Sequence, residues 1–508
     1  MMSSIYIGTT GMKALGEGLS TVSNNLANAS TVGFKYAMML YEDLMSAQVA
    51  SASSNYSNGT ISGVSQKGMG VSVATNRTMF LQGAFETGSE PTDMAISGLG
   101  FFGVVKNGVT EYTRAGNFRF TKEGDLVDPS GFSLLGYKIT AGIVEAAATP
   151  VKLELSLDAA RSGEAFMEHK ATSAVSLIEN LGDTTRRGSG TIPIESLVAS
   201  WNGLASPPLA ASAVGHVDTV PIYDNSGELQ NLNVYFDYVG NIGGRRIYEY
   251  AIGTDPEAAG DNEGSAAAGL FAAGTMTFSP SGELMDMTMF TAPEDGDITD
   301  MSKWAAASFG PDGQPALTAS FANAEPGQIR IDFGLQMDGV WSNSYASAAD
   351  LIADPSGLSS TPPRTRNSLS SSAYAGASAG ITQKQDGYGD GYLTSIAINA
   401  DGYMSGQYSN GQSQDLYRIP LYSFTSQDNL RREGGNHYSA PVTAGQIVEG
   451  FPREEHFGAL AQNSLEQSNV DMAREFATMI VTQRGFQMNS KVVTTSDQML
   501  QRALELKR

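Results

Sequence analysis

Both ends of this chain are free of proline: the first is Pro91 and the last is Pro452, out of 508 residues. Proline removes a backbone donor and clashes with the preceding helical turn, so the two ends are where long helices can run unbroken. Heptad spacing appears in both. Near the start, Ile5, Met12, Leu15, Leu19, Val22 and Leu26 follow intervals of 7, 3, 4, 3 and 4, with Gly8 at the weak position. Near the finish, Leu465, Met472, Met479, Phe486, Val493 and Leu500 recur every seven residues, with Phe476 beside them. Ser468 followed by Asp471 predicts a capping box that opens the later helix. An amphipathic stripe ordinarily packs on its own domain. Two of them at opposite extremes can pair only if the intervening chain is an outgrowth whose ends return together, and any seam left over is a site for other copies.

Charge follows the same division. There are 31 Lys+Arg and 53 Asp+Glu, a net of -22. Residues 1–40 hold Lys13, Glu17 and Lys35, a net of +1, and residues 459–508 hold six basic and five acidic side chains, also +1; the middle therefore carries -24. Such a chain repels polyanions, which argues against nucleic acid as a partner. No run of apolar residues is long enough for membrane insertion. The start, MMSSIYIGTTGMKALGEGL, lacks a basic leader and is interrupted by Lys13 and Glu17, so it does not read as a cleaved signal peptide. The absence of cysteine excludes disulfides, thiolate metal sites and cysteine nucleophiles.

Between the ends the periodicity is that of strands. Residues 46–70 are rich in Ser, Gly and Asn, which is linker chemistry, and 41–80 is expected to be a linker region. From Val71 onward, VSVATNRTMF, FFGVV, FRF and FSLLGY are short runs bounded by turn residues, and YLTSIAINADGYMSGQYSNGQ reads as a hairpin turning at Asp401-Gly402. The predicted fold is multidomain: an α-helical, coiled-coil-like inner domain formed by both termini (1–40 and 459–508), a β domain split between 81–145 and 375–458, and one or two inserted β domains over 146–374.

No motif carries catalysis. Gly98-Leu99-Gly100-Phe101-Phe102-Gly103 matches the dinucleotide pattern literally but leads into a strand, where glycines serve a tight turn and close packing. The stretches 386–391 and 294–297 lack the spacing of a calcium loop, and the four histidines form no pair. Catalytic, cofactor-binding and metal residues are therefore expected to be none. Asn24, Asn25 and Asn28 are poor helix formers near the end of an apolar seam. Their amides suit either a packed junction between chains or a helix end turning at Gly33 and Phe34.

SNNLANASTVGFK (23–35) resembles the signature of flagellar rod and hook axial proteins, and residues 464–508 resemble the matching terminal segment. TDMAISGLGFFGVV and YTRAGNFRFTKEGDLVDPSGFSLLGY are similar to the shared β domain of that family, and DGYGDGYLTSIAINADGYMSGQYSNGQSQDLYRIPLYSF with LRREGGNHYSA is similar to its hook members. Met94 and Gly103 depart from the expected pattern.

The resemblance implies a structural subunit, exported without a cleaved signal, that polymerises with itself into a curved, flexible extracellular tube. That tube would join rod to filament, transmit motor torque as a universal joint and enclose the export channel. Expected partners are the distal rod protein, the hook cap, the hook–filament junction proteins and the export apparatus. Self-assembly is assigned to the heptad residues of both helices with Phe476 and the three asparagines, and the turn to Gly33 and Phe34. Another axial component (distal rod or junction protein), an extracellular β-rich adhesin and a wall hydrolase are the alternatives.

Overall fold

The computed structural model describes residues 2–45, 47–51, 64–140, 143–144, 149–155, 157–158, 164–182 and 194–505. The chain divides into two compact units: residues 1–165, 393–408 and 413–508 form the first, and residues 166–392 with 409–412 the second.

In the first unit, two long helices, Met2–Ala27 and Met472–Glu505, pack along each other. They are antiparallel, since the start of one meets the end of the other: the backbone at Gly8 faces Val493, and Asn25 reaches Glu475. The expected helical span 1–40 is too long. The first helix stops at Ala27, Asn28 donates back to the Asn24 carbonyl, and strand Ala37–Asp43 follows. That strand pairs antiparallel with Val71–Thr78, with a bulge between Leu40 and Tyr41, so the ends of the expected linker 41–80 form a two-stranded ribbon. Most of the linker's centre lies outside the described residues.

The second helix also begins later than residues 459–508 suggested. Ala459–Gln462 pairs with Met94–Ser97, and Ser464–Glu466 pairs with Phe85–Thr87. Leu465 therefore sits on a strand rather than on the helix. Asp471, not Ser468, caps the helix, its Oδ1 accepting from the Ala473 and Arg474 amides at 2.9 and 3.2 Å.

The β body of the first unit has two apolar cores on opposite faces of one strand. Along Phe101–Lys106, Phe102 and Val104 join Met94, Phe118, Leu126, Leu421 and Leu460, while Phe101 packs with Tyr112, Phe424 and Tyr438 on the other face. Gly98 and Gly100 lie in the left-handed region (φ 120° and 133°) just before it, and Arg114 donates to both of their carbonyls. That is the tight turn required by the close approach of strands, and it opens no helix. Gly103 faces the Tyr422 ring, which leaves no space for a side chain there. The 393–398 and 403–408 segments form the expected hairpin, with Gly402 at φ 86°.

The boundaries expected at 146 and 374 both fall later in the chain, near 166 and 392. Val151–Lys152 pairs with Leu135–Gly136, and Leu153 is fully buried in the first unit's core. Ala379–Gln385 pairs with Ala174–Asn180 in the second unit. That unit holds a five-stranded and a six-stranded sheet that share one core, including Val175, Leu177, Ile222, Phe236, Ile331 and Phe333. A further core, around Trp201, Trp304, Phe290 and Leu351, lies against the other face of the six-stranded sheet. No helix among the described residues is long and apolar enough to cross a membrane.

Candidate assembly interface

The helix pair is built on small residues. On the first helix the buried positions are Gly8, Gly11, Ala14, Gly18, Thr21, Val22 and Asn25, while Ile5, Met12, Leu15, Leu19 and Leu26 are only half-buried at the margin. The heptad reading placed the seam on the large residues; in the structure it runs beside them. The reason is distance. A methyl group at Gly8 would lie 2.7 Å from Val493 Cγ2, and one at Gly11 2.9 Å from Asn489 Nδ2. Leu15 in turn packs over Gly485 of the partner helix. Close backbone approach is available only where side chains are missing.

The second helix faces its partner through Glu475, Met479, Thr482, Gly485, Asn489, Val493, Ser496 and Leu500, all buried or half-buried. Met472 and Phe486 of the seven-residue repeat, and Phe476 beside it, point outward, at 57%, 41% and 53% exposure. A straight α-helix drifts by about 20° per heptad, so a strict repeat moves by roughly 80° between Met472 and Leu500 and cannot keep to one face; Met479, Val493 and Leu500 are half-buried while Met472 and Phe486 are exposed. The outward apolar residues form two groups. Met472, Phe476 and Ile480 step by four; Val481, Met488, Val492 and Met499 step by seven, four and seven. A shallow apolar groove between the helix ends is lined by Ser4, Met488, Val492, Ser496 and Met499.

The asparagines divide their work. Asn25 is buried; its Nδ2 donates to the Ala37 carbonyl at 2.8 Å and to Glu475 Oε2 at 3.1 Å, and its Oδ1 accepts from the Ala37 amide at 2.9 Å. Asn24 and Asn28 bond only each other's neighbourhood at the helix end, Asn28 Nδ2 donating to the Asn24 carbonyl at 2.9 Å. Gly33 turns the chain at φ 70°, where a side chain would strike the Ala115 backbone, and its amide donates to the Glu466 carbonyl at 2.7 Å. Phe34 is buried with the Arg432 guanidinium over its ring.

Sequence reasoning missed the adjoining ionic cluster. Lys35 and Glu466 are both fully buried, with Nζ 2.6 Å from Oε1, and Arg114 Nε lies 3.0 Å from Oε2. Lys35 also donates to the Leu81 carbonyl at 2.8 Å, and the Gly83 amide to Glu466 Oε1 at 2.8 Å. Burial pushes the Lys35 ammonium down to about 8, against the pull of Glu466. Burial works to raise Glu466, but Arg114 and Lys35 outweigh it and hold the carboxyl below its ordinary value. The cluster ties the segment after the first helix to the strand before the second. Nothing in the spacing of 35, 114 and 466 announces it.

Four family models match in chain order: Flagella basal body rod protein over 5–35, Flagellar hook protein FlgE/F/G D1 domain over 95–158, Flagellar basal body protein FlaE D2 domain over 196–388, and Flagellar basal body rod FlgEFG protein C-terminal over 461–506. Full-length relatives agree. The flagellar hook protein FlgE of Treponema pallidum is 29% identical over 530 residues, covering 100% of both chains. That of Borreliella burgdorferi is 28% identical, also over 100% of both. That of Rhizobium meliloti is 29% identical over 99% of this chain and 98% of its own.

The chain belongs to the flagellar hook protein FlgE family.

Both terminal matches of this FlgE-family chain span its helix pair, and the D2 match lies wholly inside the second unit. The crystal structure of Helicobacter pylori flagellar hook protein FlgE2 aligns with a TM-score of 0.36 at 14% identity over 75% of this chain and 100% of that one, too low a likeness to bear on the fold.

Proposed function

We propose that this chain is the structural subunit of the bacterial flagellar hook and polymerises through its two terminal helices. Membership of the FlgE family supports the hook assignment. The observation that carries the assembly reading is the C-terminal helix, which is apolar on more sides than its own chain covers. One side is taken by the N-terminal helix; the two outward groups around Phe476 and Met488 stay about half or more exposed. Two outward seams on one helix fit a subunit that touches neighbours on both sides, as the wall of a tube requires. Met472, Phe476, Ile480, Phe486, Met488 and Val492 are about half exposed, so covering what remains, at about 0.8–1.5 kcal/mol each, would contribute roughly 5–9 kcal/mol before the cost of association.

The same reading makes the chain a non-catalytic protein located in the extracellular hook of the flagellum. The tube would enclose the export channel, bend as a universal joint, and contact the distal rod protein, hook cap, junction proteins and export apparatus. The near-neutral ends and acidic middle suit this division: apolar contacts hold the helices, and hydrated acidic surfaces slide without sticking.

Electron microscopy of purified protein under polymerising conditions tests it. Full-length protein should give tubes; protein ending before Met472 should stay monomeric with its β units folded. Tubes from the truncated chain would refute assembly through the helices.

A further inference from the structure

The second unit carries a polar cluster that the assembly reading does not use. On strand His216–Tyr223, alternate residues His216, Asp218, Val220 and Ile222 point inward, and the last two belong to the core shared by the two sheets. On strand Ala174–Asn180 of the other sheet, Val175 and Leu177 enter the same core, and Glu179 follows them. The apolar core between the sheets thus ends in three titratable side chains. A bulge between Ile178 and Glu179 sets the carboxyl there.

We propose that a single proton, shared between the carboxyl groups of Glu179 and Asp218, clasps the two sheets together and makes the second unit loosen as pH rises through neutrality. Glu179 is fully buried, and neither of its oxygens is met by an amide or hydroxyl donor. The Glu179 and Asp218 carboxyl groups, on strands of different sheets, border one space beside Gly380, and His216 Nε2 lies 3.3 Å from Glu179 Oε2. Asp218 Oδ1 accepts from Gln383 Nε2, so Oδ2 is the oxygen left for the shared proton. A side chain at Gly380 would come 2.6 Å from Asp218 Oδ2 and 3.3 Å from Glu179 Oε1, so the glycine leaves the space that the pair occupies.

Among the described residues, His216 is the basic group in an ion pair with Glu179. Strand Ala379–Gln385 contributes Gly380 and Gln383, and the segment at 371–372 meets only the Glu179 backbone, through Ser371 Oγ and the Ser372 amide. Asp332, on the strand beyond, is opposite Ser176 rather than Glu179. Among the described residues no group of three or more His, Asp or Glu is arranged to hold a metal ion. A proton is the ligand that remains.

The sign follows from the chemistry. Burial and the neighbouring Asp218 carboxylate push Glu179 up to about 7 from 4.5, while Asp218, despite burial, is held low as the acceptor. A raised folded value stabilises fully below about 4.5 and loses that contribution as pH rises to about 7. From pH 6 to pH 8 the folded-to-unfolded ratio should fall roughly tenfold on account of Glu179 alone. Glu249, also pushed up to about 7 by burial, adds a like amount.

All three tryptophans, Trp201, Trp304 and Trp341, lie in the second unit, so tryptophan fluorescence of the full chain during urea unfolding reports this unit alone. The wild type should lose about 100-fold in the folded-to-unfolded ratio between pH 6 and pH 8, and Glu179→Gln about tenfold. His216→Gln should keep the wild-type pH dependence, and Asp218→Asn should move the loss to lower pH. The proposal is overturned if Glu179→Gln loses as much as the wild type, if His216→Gln abolishes the dependence, or if Zn²⁺ alone restores stability at pH 8, which would make the oxygens metal donors. Should Glu179→Gln fail to fold, Asp218→Asn carries the same decision. Because the readout is a monomer property, failure of the tube assay above would not touch it.

Discussion

Asn25 and Glu475 are 450 residues apart in the chain and 3.1 Å apart in the fold, where the amide of one helix donates to the carboxylate of the other. The same asparagine holds both the donor and the acceptor of Ala37, so a single side chain fixes the helix pair and the start of the ribbon. Replacing it by alanine leaves a buried amide and a buried carboxylate oxygen without that partner. Asn25→Ala should lower the stability of the helix pair by about 2–4 kcal/mol. Urea unfolding followed by far-ultraviolet circular dichroism checks this, and a loss below 0.5 kcal/mol (about a twofold change) would show that the contact is dispensable.

Glycines on the first helix should respond in opposite ways. A methyl group at Gly8 meets Val493, whereas one at Gly16 meets nothing within 4 Å. Gly16→Ala should stabilise the helix by about 1 kcal/mol through propensity alone. Gly8→Leu should separate the pair, and Val493→Ala should recover part of the loss. Equal effects at the two positions would contradict the close packing at Gly8.

The buried cluster should be unforgiving. Lys35→Met leaves Glu466 with one of its two cationic partners and should cost about 3–5 kcal/mol. The pH response of this cluster has a definite direction. Glu466 is held below its ordinary value, so its stabilisation is present above about 4.5 and is lost as pH falls through the folded value. Hydrogen exchange at the Ser464–Glu466 strand should therefore show the strand released in acid before the β body melts, after correction for intrinsic exchange rates.

The outward seams predict a separation of folding from assembly. Phe476→Ser and Met488→Ser replace exposed side chains and should change monomer stability by less than about 0.5 kcal/mol. Each should raise the concentration needed for tube formation by about threefold to tenfold or more, since covering the half or more of the side chain that is exposed contributes about 0.8–2 kcal/mol. Sedimentation of polymerised protein measures it. Unchanged assembly in both variants would place the contacts elsewhere.

Much of this was legible in the sequence. Proline placement and heptad spacing located a helix at each end, because both report local backbone geometry, and alternation with turn residues located the strands and the hairpin at Asp401-Gly402. Local pattern also set the limits of the reading. Leu465 fits the heptad yet lies on a strand, since pairing with Glu86 is a long-range hydrogen-bonding fact that no local repeat contains. Gly8 looked like the weak point of the first helix and is a position where a side chain would collide with Val493 of the other helix.

Sequence alone therefore determined that each end holds a long helix, where charge is concentrated, and which family signature the ends carry, because each of these is written in consecutive residues. Tertiary structure decided which face of each helix is used, where the units divide, and which charges are buried together. Lys35 and Glu179 are shifted by desolvation, and Glu466 and Asp218 are held low by partners that outweigh it; burial and partners alike come from residues far away in the chain and exist only once it has folded.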